Sequence, residues 1–184
     1  AWTGGGLAAL AVSPPRAQAS APKLGDDGLY HFDWYLESFL DFREDLDGAN
    51  AKGKRLVIMW SQTGCPYCKK LATEYFTDPK IVSYVRAKFD VLHLDMNGAR
   101  ECADFDGAKF SEKSMALKYQ IRTTPTLLFF PETSDGLAEK GEMERELGRM
   151  PGLLPKKEFL AMFSYVAEKG YEKGGFADWV KKQG

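Results

Sequence analysis

The chain has 184 residues, with 25 basic against 26 acidic side chains and a formal charge of -1. Such a balance gives no reason to expect long-range attraction to nucleic acid or an anionic membrane, and the length suits one well-buried domain rather than two. Three cysteines, at 65, 68 and 102, cannot all pair within one chain, so at least one is left over.

Residues 1–21 differ in composition from the rest of the chain. The apolar run at 4–12, then Ser13-Pro14-Pro15 and Ala17-Gln18-Ala19, resembles the tail of a secretory signal, with cleavage expected after Ala19 or Ala21. Export to the periplasm is therefore expected; a plain Ala/Gly/Pro-rich extension is the alternative. Residues 22–184 are expected to form a single domain. It begins with the aromatic segment Tyr30-His31-Phe32-Asp33-Trp34-Tyr35, expected to pack on the core, with the lining of a partner groove as the other reading. Leu36, Phe39, Leu40 and Leu46 have helical spacing, ended by Gly48 and Gly53. Leu56-Val57-Ile58-Met59-Trp60 is a continuous apolar run, the pattern of a strand covered on both faces.

A helix is predicted after Cys68, through Leu71, Ala72 and Tyr75. Asp78-Pro79 starts another, with aspartate as cap and proline in the first turn, and Ile81, Val82, Val85 and Phe89 as its buried stripe. A strand over 91–95 leads to an excursion at 97–110, then a short helix capped by Ser111 that carries Met115, Ala116 and Tyr119. Thr126 to Phe130 reads as a strand, and 144–147 as a weaker one. Pro155 opens a helix with Phe159, Met162, Phe163 and Val166 on one side; Phe176, Trp179 and Val180 predict a short terminal helix. This order implies an α/β fold with helices covering a mixed sheet.

The chemistry is concentrated in Gly64-Cys65-Pro66-Tyr67-Cys68, between a buried strand and a helix start. Unsatisfied N–H groups at a helix N-terminus favour a thiolate, and Pro66 sacrifices no internal helical bond. Cys68 follows one turn deeper. The spacing predicts Cys65 as the exposed attacking thiol and Cys68 as the shielded resolving thiol. Zinc would need four ligands, and without a second Cys-x-x-Cys it would have to recruit Cys102, His31 and His93. A purely structural disulfide is the remaining alternative. The second signal is Thr124-Pro125 before a core strand: a cis prolyl bond there would turn backbone groups toward the Cys65 loop, and the Thr124 hydroxyl would approach the sulfur.

With these residues in order, the chain resembles the thioredoxin superfamily, and most closely the periplasmic SoxW-like thioredoxins of bacterial sulfur oxidation. The narrower resemblance rests on Asp104-Phe105-Asp106-Gly107 and Pro151-Gly152-Leu153-Leu154-Pro155. It implies a thioredoxin fold with an added N-terminal segment and an excursion after the second core strand. It also implies Cys65 and Cys68 as the catalytic pair, Pro125 as the cis-proline of a substrate groove, and Thr124, Pro66 and Tyr67 as its neighbours. The implied activity is reduction of protein disulfides, without metal or cofactor. A membrane thiol transporter would donate electrons, and a sulfur-carrier protein would be one target. The chain departs from ordinary thioredoxin in having Pro66-Tyr67 between the cysteines. It also has Met59 where the family commonly buries an aspartate that aids proton transfer. A disulfide-forming oxidase or isomerase and a noncatalytic binding module are the alternatives.

Cys102, flanked by Glu101 and Asp104, is expected to stay a free noncatalytic thiol; an auxiliary redox role is the alternative. His93 is expected to be structural, and His31 has no evident acid–base partner. Lys69 and Lys70 are expected to be solvated and outside the catalytic set.

Overall fold

A computed structural model describes residues 20–182 of the chain, so all but the last two positions of the signal-like stretch lie outside the described residues. In chain order its elements are β1 (Lys23–Leu24), β2 (Tyr30–His31), α1 (Phe42–Ala51), β3 (Arg55–Ser61) and α2 (Pro66–Lys70). A π-helical turn over Leu71–Tyr75 comes next, then α3 (Pro79–Lys88), β4 (Phe89–Asp95), β5 (Glu101–Ala103) and β6 (Lys109–Ser111). The chain continues through α4 (Glu112–Lys118), β7 (Thr126–Phe129), β8 (Gly148–Pro151), α5 (Lys156–Ala167) and α6 (Phe176–Lys182).

Four strands form the central sheet in the order β4-β3-β7-β8. β3 runs parallel to β4 and antiparallel to β7, and β7 is antiparallel to β8, so the sheet is mixed. Every residue of β3 is buried because neighbouring strands flank it and helices cover both faces. Its alternation separates two cores. Val57 and Met59 face Leu71, Phe76, Val85, Phe159 and Phe163, whereas Leu56, Ile58 and Trp60 face Leu46, Met115 and Tyr119. The fold is the thioredoxin fold, as the α/β pattern and the resemblance together imply.

Caps set the boundaries. Asp78 accepts from Lys80 N at 3.0 Å with Pro79 in the first turn, and Ser111 Oγ accepts from Ser114 N at 3.2 Å. The first helix begins later than its periodicity predicts, because Asp41 accepts from the backbone N–H groups of Arg43 and Glu44 and caps the chain there. Upstream, Ser38 Oγ accepts from Leu40 N, Leu40 takes φ 64°, and Phe39 is fully exposed instead of buried. The weak strand expected at 144–147 is also displaced. Glu142–Glu144 curls into a 3-10 turn and Arg145 is drawn into the interior, so pairing begins when Leu147 N reaches Phe129 O at 2.8 Å and β8 succeeds it.

The predicted excursion is the β5–β6 hairpin, and its turn explains the acidic motif. Asp104 is buried and accepts from Lys118 Nζ at 2.5 Å, Tyr119 OH at 2.6 Å and Arg145 Nη1 at 2.8 Å. One carboxylate thus ties the excursion to α4 and to the segment before β8. Among the described residues, no helix is long and apolar enough to cross a membrane.

Candidate active site

β3 ends at Ser61 and delivers the chain to Cys65, which occupies the N-cap of α2 with Pro66 in the first helical turn. Cys65 and Cys68 are joined as a disulfide, with Cα atoms 5.2 Å apart. Their surroundings differ as the spacing predicts: Cys65 is half-buried, and Cys68 is 8% exposed. Cys68 N donates to Cys65 Sγ at 3.1 Å. A backbone dipole therefore already points at that sulfur, where it stabilises negative charge.

The Thr124–Pro125 bond is cis. Both residues are buried, and Thr124 O lies 3.3 Å from Cys65 Sγ, close enough to accept from the thiol in the reduced state. The sequence pointed to the threonine hydroxyl as the sulfur's neighbour, but the carbonyl takes that place. Thr124 Oγ1 is buried with no hydrogen-bond partner among the described residues. Pro66 is exposed, and Tyr67, 60% exposed, presents its ring beside the cysteines.

Met59 is buried on the sheet face beneath this junction, with His93 its register partner on β4. Burial, and secondarily the charge of His31, lowers the His93 pKa to about 3, so the ring is neutral. Among the described residues its two nitrogens have no hydrogen-bond partner, and it packs edge-on to Tyr35 and His31 at 5.2 and 5.4 Å between centroids. His31 does have an acid–base partner, contrary to expectation: its Nε2 meets Asp27 Oδ2 at 2.9 Å.

Cys102 lies elsewhere, fully buried on β5 among Leu40, Phe42 and Met115. Burial, followed by the nearby Glu112 carboxylate, pushes its thiol up to about 12. Among the described residues no group of three or more His, Cys, Asp and Glu side chains is placed to hold a metal ion.

The β1–β2 hairpin borders the site, a role its sequence does not signal directly. Leu24, Leu29, Tyr30 and Tyr35 wall a cleft of about 450 Å³ whose other side is Cys65, Pro66, Cys68, Leu71 and Ala72. The aromatic entry segment was the available signal. Phe32 packs into the core as expected, while Tyr30 and Tyr35 also face the cleft.

A Cys-x-x-Cys disulfide at a strand–helix junction, faced by a cis-proline loop on a four-stranded mixed sheet, defines a thiol–disulfide oxidoreductase of the thioredoxin class. The Thioredoxin-like domain matches residues 42–167, and the chain belongs to that family. Solved structures agree. A thioredoxin from Thermus thermophilus is 26% identical with a TM-score of 0.53, over 77% of this chain and 92% of its own. A candidate disulphide isomerase from Bacteroides thetaiotaomicron is likewise 26% identical with a TM-score of 0.53, over 79% and 99%. A thioredoxin-fold protein from Helicobacter pylori shares the fold at 17% identity and a TM-score of 0.57, over 79% and 91%. No curated protein matches the chain.

Proposed function

We propose that the protein is a reductase of protein disulfides in which Cys65 attacks and Cys68 resolves. The observation that carries this reading is the asymmetry of the pair: a half-exposed sulfur receiving an N–H dipole, with a buried sulfur behind it. In the reduced state the Cys65 thiolate attacks one substrate sulfur. The substrate S–S bond breaks, and the expelled thiolate takes a proton from water. Cys68 then loses its proton and attacks Cys65 Sγ, the mixed disulfide breaks, and the second substrate thiol departs. Two electrons pass from the dithiol to the substrate, leaving the Cys65–Cys68 disulfide. Met59 has no proton to exchange, so water or another polar group receives the Cys68 proton.

Pro66, Tyr67, Thr124 and Pro125 are the proposed substrate face. The resemblance to SoxW-like thioredoxins supports a narrower role as a periplasmic protein supplied by a membrane thiol transporter, with a sulfur-carrier cysteine as one target. Insulin reduction driven by dithiothreitol tests the activity. The wild-type chain should accelerate B-chain precipitation and Cys65→Ser should not, while Cys68→Ser, reduced beforehand and freed of dithiothreitol, should accumulate a mixed disulfide with insulin. Wild-type rates from Cys65→Ser would end the proposal.

A further inference from the structure

The β1–β2 hairpin lies outside residues 42–167, where the family match falls, yet it builds a wall of the cleft beside the dithiol. That wall is pinned in place. Thr63 Oγ1 donates to Asp27 O at 2.9 Å, joining the hairpin turn to the loop before Cys65. Gly28 makes the approach possible, with φ +76° and a position where an added Cβ would come 2.7 Å from Thr63 Cγ2. The Asp27–His31 pair closes the hairpin, and Leu36 N bonds to Val91 O at 2.9 Å where the segment joins the sheet edge.

The cleft is chemically one-sided. Its walls are mostly apolar surface, interrupted by Ser61, Gln62 and Thr63, and among the described residues Lys69 is the single charged one that lines it. Leu24, at the rim, is 63% exposed. The lining includes both redox cysteines but neither Thr124 nor Pro125. The dithiol therefore has two distinct neighbours: the cis-proline loop, whose carbonyl approaches Cys65 Sγ, and the hairpin cleft. Cys65 borders both of them.

We propose that the cleft is a side-chain subsite selecting polypeptide disulfides with a large apolar residue beside the reacting cysteine. This rests on the reductase reading above and adds the substrate class. A volume of about 450 Å³ admits an aromatic or branched aliphatic side chain, which gains by leaving water. An acidic side chain would lose hydration there, with Lys69 as the one cation among the described lining residues to offset the loss.

The test uses the full chain with disulfide-linked peptides that differ only in the residue after the cysteine, serine against phenylalanine, and hydroxyethyl disulfide as a compact polar control. The phenylalanine peptide should be reduced with a kcat/KM about tenfold or more above the serine peptide. Leu24→Glu, a change at an exposed rim position, should bring that ratio close to one while circular dichroism reports an unchanged fold. Reduction of the control with equal rates on both peptides overturns the subsite and leaves the reductase reading standing. So does a preference that Leu24→Glu leaves intact. Failure to reduce even the control overturns both.

Discussion

Two cysteine environments in one small fold behave oppositely. Cys65 caps a helix at the end of a buried strand, with a backbone N–H directed at its sulfur and part of its surface open. Cys102 lies on a short hairpin strand, fully enclosed by apolar side chains and near the Glu112 carboxylate. The side chain is the same; dipoles, burial and neighbouring charge decide whether it does chemistry or fills space. The contrast extends to the surroundings. The redox junction keeps polar groups loosely satisfied, with Thr124 Oγ1 unpartnered among the described residues. The hairpin turn concentrates hydrogen bonds on Asp104.

The strongest way to break the contrast is to exchange the two cysteines' fates. Cys65→Ser should lower disulfide reduction about a thousandfold or more, while Cys102→Ala should leave kcat/KM within twofold; insulin turnover by both variants decides it. Next is the carboxylate that holds the hairpin. Asp104→Ala removes the buried carboxylate that Arg145 and Lys118 share and leaves them the more exposed Asp106; breaking such a buried pair costs about 3–5 kcal/mol. Denaturant unfolding should show that loss, and the folded fraction should keep its turnover.

A smaller effect concerns pH. The folded pKa of His93 is depressed to about 3, below the ordinary value of 6.5. Its neutral burial therefore adds stability above about 6.5, and that contribution drains away as pH falls toward 3. Asp45 acts in the opposite sense over part of the range. Burial raises it to about 6, so its contribution declines as pH rises from 3.8 to 6. His93→Gln should flatten the acid limb of a stability–pH curve by an amount on the order of a few kcal/mol. The smallest effect is the cavity left by Cys102→Ala, about 1 kcal/mol in the same unfolding measurement.

The redox junction was legible because its signals are local. An apolar run, a Cys-x-x-Cys and a proline each act within a few residues, and Asp78-Pro79 and Ser111 worked as caps for the same reason. Periodicity misled where a local hydrogen bond overruled it. Phe39 and Leu40 match a helical face, but Ser38 and Asp41 fix a turn there. The inward pull on Arg145 and the service of Asp104 to three donors depend on partners 14 to 41 residues away, and no window along the chain reveals them. The hairpin cleft was hidden for a similar reason. Tyr30 and Tyr35 advertise burial, but their neighbour Cys65 is found only once the hairpin has folded over the loop.

The most direct test is a competition among the three thiols. The fully reduced protein is treated with iodoacetamide at neutral pH, and each cysteine's alkylation rate is read by mass spectrometry. Cys65 should react first, Cys68 more slowly, and Cys102 at least about a hundredfold slower than Cys65 until denaturant is added. Alkylation of Cys68 or Cys102 ahead of Cys65 in the folded protein would contradict the account.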